Sequence, residues 1–221
     1  AAGQYGLYVQ DSGSNTINLS YIGNSGGTAG YFDTASSNTL SQSTVAGNAS
    51  SYALALVFSG FNRIMGSNII NGAYVDGLFS TNNQISGSRI AHNHLTLYGL
   101  ALMTTASNTV TGSFISNPLG TALGIDAPGG ADNNTVSLST ITSASATAPA
   151  LGMRGSWNSV SQTYIANSAG YGAVLQDSNF NSITQSTVAG NSATLNALYL
   201  WNSGTNTVTQ TLVSNASGDA V

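Results

Sequence analysis

An asparagine returns about every 24 residues along the whole chain, at Asn15, Asn38, Asn62, Asn83, Asn108, Asn134, Asn158, Asn181 and Asn206, with gaps of 21 to 26. Each copy carries the same phrase. An aliphatic follows two residues later (Ile17, Leu40, Ile64 and onward to Val208), a hydroxyl five later (Ser20, Ser43, through Thr163 to Thr211), and a second aliphatic seven later (Ile22 to Val213). A second asparagine comes nine or ten residues on in eight of the nine copies. A period of this size marks a solenoid, in which each repeat buries its apolar side chains only by stacking on its neighbours. The repeat fills residues 1–221, which predicts one continuous domain without a linker.

Composition narrows the classes. Only 5% of the 221 residues are charged, with seven Asp against Arg63, Arg89 and Arg154, and no Lys or Glu. With 41% hydrophobic residues falling in register, a packed fold is the better account than disorder. Three scattered arginines and a net charge of −4 supply no basic patch, which argues against nucleic acid as a partner. No apolar run is long enough for a membrane span. Cysteine is absent, so neither disulfides nor a thiolate site contribute, and no residue set calls for a cofactor.

The phrase has strand chemistry: Val, Ile and Thr are enriched, Gly and Asn punctuate, and no stretch keeps helical periodicity. In the first copy, Gly6 to Val9, Thr16 to Leu19 and Tyr21 to Gly23 read as three short strands, with Asn15 and Asn24 at corners in the left-handed conformation that Asn tolerates. The fold class is therefore all-β, a parallel β-helix of nine three-strand rungs, right-handed by the crossover rule for parallel strands. At about 4.8 Å per rung the rod is roughly 43 Å long. Stacked aliphatics form the core, and stacked asparagines form side-chain amide ladders with a structural role.

The pattern N-x-[IV]-x-x-S-x-[IV]-x-x-N, read here as "NTINLSYIGN", "NTVTGSFISN" and "NTVTQTLVSN", resembles the parallel β-helix repeats of the pectin-lyase-like superfamily. It is most similar to noncatalytic repeats of secreted and surface proteins, including adhesin-like passengers. The resemblance implies an extracellular or cell-surface location and a structural role. Longer similarities, "YGLYVQDSGSNTI" with "YGAVLQDSNFNSI" and "SQSTVAGNASSYALAL" with "TQSTVAGNSATLNALYL", point to duplicated blocks of rungs. Neither end of the sequence reads as a cap. The expected partners are a continuation of the same chain or a second copy stacked head to tail, as in a stalk or a filament. Surface glycans are the alternative partner.

Catalytic relatives in that superfamily work through clustered carboxylates. Counted from the ladder asparagine, Asp33, Asp76 and Asp126 fall five, seven and eight residues before it, on rungs two, four and six. Asp11 and Asp177 share an offset but lie seven rungs apart. No two aspartates share a column on adjacent rungs, so no enzyme is expected. The residual candidate is Asp126, Asp132 and Arg154, a small ion or sugar site or a plain surface ion pair. His92 and His94 occupy the second-asparagine corner of rung four, on either side of Asn93, without a third metal ligand nearby. Trp157, Trp201, Tyr8 and Tyr199 could stack on sugar rings, although Tyr8 and Tyr199 sit where packing is the commoner fate. The Thr and Ser positions one and three after each asparagine form a partial T-x-T array, the surface of ice-binding solenoids, interrupted at Arg63/Met65 and Gln84/Ser86.

Overall fold

A computed structural model describes residues 5–77, 80–126, 131–219 and 221. Twenty-seven strands of three or four residues are present among them, and no helix. They form three nine-stranded sheets in which each strand pairs, in parallel, with the strand three places along the chain. Every circuit of the chain therefore deposits one strand on each sheet. We call the sheets first, second and third after Leu7–Gln10, Thr16–Asn18 and Tyr21–Gly23. The expected strands are thus observed to within a residue.

The period-2 alternation of β-strands decides what is buried. The middle residues of the second and third sheets point inward, from Ile17 to Val208 and from Ile22 to Val213. They meet two inward columns of the first sheet, which run through Leu54, Leu100, Leu123 and Leu151 and through Phe32, Leu56, Leu102 and Ile125. Val110, Ile115, Val136 and Ile141 are fully buried. Each such side chain contributes about 1.5–3 kcal/mol, so the columns drive folding. Among the described residues nothing covers the outermost rungs, and Val208 is 38% exposed where Val136 is 0%.

Between the first and second sheets the asparagine ladder is unbroken. The backbone N–H of each ladder asparagine donates to the side-chain Oδ1 of the next rung's asparagine, at 2.8–3.0 Å from Asn15 through to Asn206. A hydroxyl ladder runs in parallel at the next corner, from Ser20 N–H to Ser43 Oγ and on to Thr211 Oγ1. Corner backbone that cannot pair within a strand is paired in this way, as burial demands.

One expectation fails. The left-handed residue is not the ladder asparagine but its predecessor: Ser14, Ser37, Phe61, Asn82, Ser107, Asn133, Trp157, Phe180 and Thr205 all have φ of 57° to 62°. Asn24 is likewise not left-handed, although Asn71 in its column is. The reason is the ladder itself. The asparagine side chain must point inward to meet the next rung, so the sharp pivot falls on the residue before it. Non-glycine residues there store about 1–3 kcal/mol each, which the ladder offsets.

Candidate functional site

The alternation that buries two columns of the first sheet turns two others outward. The outer column at the second strand position reads Tyr8, Tyr31, Ala55, Tyr74, Ala101, Gly124, Gly152, Val174 and Tyr199. The column two residues on carries Gln10, Asp33, Val57, Asp76, Met103 and Asp126. Three aspartates that the sequence assigned to different offsets therefore share one column, on alternate rungs. Counting from the asparagine missed this because the corner between strand and ladder varies: it ends five residues after Asp33, seven after Asp76 and eight after Asp126. Only the hydrogen-bonded register brings them into line, roughly 9–10 Å apart at two rungs' rise.

Each of these carboxylates accepts a tyrosine hydroxyl. Tyr8 Oη lies 3.1 Å from Asp33 Oδ2, Tyr74 Oη 2.7 Å from Asp76 Oδ2, and Tyr98 Oη 3.0 Å from Asp126 Oδ2. Tyr98 comes from the corner before its strand and lays its ring over Gly124, where an added Cβ would sit 2.7 Å from the ring. Burial, then the neighbouring Asp126 charge, pushes the Tyr98 hydroxyl up to about 12. Burial and the bond to Asp76 raise Tyr74 as well. Tyr5 stacks on Tyr31 at 4.5 Å and Tyr52 on Tyr74 at 5.1 Å, giving two aromatic patches on the same side of the rod.

Of the candidate trio, two members meet. Arg154 follows Met153, the register partner of Ile125, so it stands beside Asp126, with Nη1 3.5 Å from Oδ2. Arg154 Nη2 donates to Gln176 Oε1 at 3.1 Å. Asp132 is elsewhere: its Oδ1 accepts the backbone N–H of Ser156 at 2.7 Å and fixes the corner. Tyr8 and Tyr199 face outward, 46% and 38% exposed, and each packs on a neighbouring ring, Tyr8 on Tyr5 at 5.2 Å and Tyr199 on Tyr171 at 5.7 Å. Outward strand positions leave an aromatic ring in solvent unless a neighbour covers it. Trp157 stacks face to face on Phe180 at 4.2 Å along the corner, and Trp201 is exposed at the far end of the first sheet.

The histidines serve the corner. Buried His92 takes the place of asparagine, with Nδ1 2.8 Å from Tyr98 O and Nε2 3.1 Å from Ala49 O. His94 Nδ1 accepts Leu97 N–H at 3.1 Å. No group of three His, Cys, Asp or Glu that could hold a metal exists among the described residues. The outer face of the second sheet is different in character. From rung five it is an uninterrupted hydroxyl lattice, Thr109/Thr111, Thr135/Ser137, Ser159/Ser161, Ser182/Thr184 and Thr207/Thr209.

Comparison with known proteins agrees with this fold. The solved structure of the Azotobacter vinelandii mannuronan C-5 epimerase AlgE4 A-module superposes with a TM-score of 0.58 at 14% sequence identity. The match covers 95% of the present chain and 64% of that module, so the chain spans less than two thirds of it. That likeness concerns the fold. No curated protein sequence matches the chain. The family described as "Right handed beta helix region" matches residues 1–141 and 81–213, and the chain belongs to that right-handed β-helix family.

Proposed function

We propose that the protein is a glycan-binding β-solenoid, with the outer face of the first sheet as the surface on which an extended neutral polysaccharide lies along the rod. The observation that carries this reading is the row of three Tyr–Asp pairs on alternate rungs of one face. Sugar rings offer apolar C–H faces to aromatic rings and hydroxyls to carboxylates, and this face presents both. Its charge favours a neutral chain: Asp33, Asp76 and Asp126 outnumber Arg154, so a polyanion is repelled. The likeness to a mannuronan-modifying module supports the carbohydrate class, not that substrate.

The reading is of binding without turnover. Tyr74 and Tyr98 keep their protons well above neutrality, so neither offers a phenolate base. The protein would act outside the cell, where such polysaccharides are met. No helix among the described residues is long and apolar enough to cross a membrane.

Affinity electrophoresis through gels containing soluble polysaccharides tests the proposal. Neutral chains should retard the protein and polyuronates should not. Replacing Tyr31 and Tyr74 together by Ala should weaken binding about tenfold or more, given about 0.5–1.5 kcal/mol per aromatic contact beyond its area. Absence of retardation by every neutral polysaccharide would overturn it. The structural role expected from the sequence, a stalk segment or a filament subunit, is the second reading, supported by the two ladders that run unbroken through the rod. It expects elongated polymers in negative-stain microscopy, and monodisperse short rods would count against it.

A further inference from the structure

The first sheet's outer face is not uniform along the rod. Through rungs one to four its second-position column carries Tyr8, Tyr31 and Tyr74; from Ala101 to Gly152 it falls away to small residues. Gly124 is covered by the Tyr98 ring. Gly152 is not: a Cβ there would meet only Pro149 Cγ and Thr121 Cγ2, both at 3.6 Å. A cleft of about 140 Å³ opens over this bare backbone, walled by Tyr98, Pro149 and Val174 and rimmed by Asp126, Arg154 and Gln176. Being concave and part apolar, with a few convergent polar groups, it has the makeup of a small-molecule subsite.

We infer that this cleft is a pyranose subsite, with the Asp126–Arg154 pair gripping a vicinal diol of a neutral sugar. The inference rests on the glycan-binding reading and locates its specificity-determining point. The pair is arranged for the purpose. Both recorded partners of the Asp126 carboxylate, Tyr98 Oη and Arg154 Nη1, use Oδ2, which leaves Oδ1 as an acceptor. Arg154 donates one hydrogen bond, from Nη2 to Gln176 Oε1, and lies in ion-pair contact with Asp126 through Nη1, and the guanidinium carries five N–H donors. Each hydroxyl of a diol both donates and accepts, so an acceptor beside a donor fork matches two adjacent hydroxyls. Pro149 and Val174 supply the apolar wall for the C–H face. Because Arg154 is already compensated by Asp126, the site does not call for an anionic sugar.

Two measurements hold the outcomes apart: the gel retardation described above, and calorimetric titration of the full chain with neutral trisaccharides (cello-, manno- and laminaritriose) and with a uronate trisaccharide. Two variants alter the cleft differently: Gly152→Val fills it, and Arg154→Met removes the donors while keeping a long side chain. Both positions lie on the outer face, and in Arg154→Met the Asp126 carboxylate, itself only 16% exposed, still accepts the Tyr98 hydroxyl, so a melting profile close to the wild type is the expected control for both variants. At least one neutral trisaccharide should bind the wild type, and each variant should weaken it about tenfold or more, Arg154→Met by losing hydrogen bonds to a charged group and Gly152→Val by occupying the cleft. If both variants bind like the wild type while Tyr31→Ala with Tyr74→Ala loses polysaccharide retardation, the subsite is overturned and the glycan-binding face stands. A uronate bound more tightly than every neutral sugar, and released by Arg154→Met, overturns the diol assignment. No retention of the wild type by any neutral polysaccharide removes the face and the subsite together.

Discussion

The first and second sheets share one core and one asparagine ladder, the first giving the core two columns and the second one, and they differ most in what they turn outward. The second sheet repeats small hydroxyls rung after rung from Thr109/Thr111 to Thr207/Thr209. The first places tyrosines, aspartates, one arginine and glycine gaps at particular rungs. Folding constrains both outer faces weakly, since neither fills the core. A regular outer face is what stacking alone permits. An irregular one, with each carboxylate of the column paired to a ring, is the feature on which the proposed glycan-binding face rests. In a solenoid the informative positions are those where an exposed column departs from its own repeat.

Perturbations should separate what the two sheets share from what distinguishes them. The largest effect is expected at the common element. Asn108→Ala removes the acceptor of Asn83 N–H and the donor to Asn134 Oδ1 deep in the rod, and leaves buried backbone unpaired. A loss of about 3–5 kcal/mol in chemical denaturation is expected, at 1–3 kcal/mol for each unsatisfied group. Both faces should be lost in one transition, and selective loss of one would break the shared-ladder account.

A smaller effect belongs to the first sheet. Tyr98 is raised in the folded state to about 12 from its ordinary value of 10.0, so the fold binds that proton more tightly than the unfolded chain. Its contribution is fully present below the unfolded value and is lost as pH rises through the folded one. Melting temperature should therefore fall between pH 10.0 and about 12 in the wild type and fall less in Tyr98→Phe. Equal slopes would show that Tyr98 gains nothing from its site. The smallest effect belongs to the second sheet. Thr135→Val exchanges one outer hydroxyl for a methyl at a strand position and should change stability by no more than about 0.5 kcal/mol. It should leave glycan binding unchanged, and a loss of binding there would move the binding face to the wrong sheet.

The sequence by itself determined the rung, the three strands in it, the inward columns and the asparagine ladder, because a stacked repeat writes each buried column as a fixed offset in the chain. It also singled out Asp126 and Arg154 by their nearness on neighbouring rungs. What it could not determine is any alignment across corners of varying length. The offsets of Asp33, Asp76 and Asp126 from their asparagines differ, and only the hydrogen-bond register shows that they stand in one line. The Tyr98 ring over Gly124, the open floor at Gly152 and the removal of Asp132 to the corner are likewise tertiary facts. Each depends on how side chains from different rungs divide the space outside the sheet. The recurrent asparagine fixes the scaffold; the register between rungs decides which exposed side chains can act together.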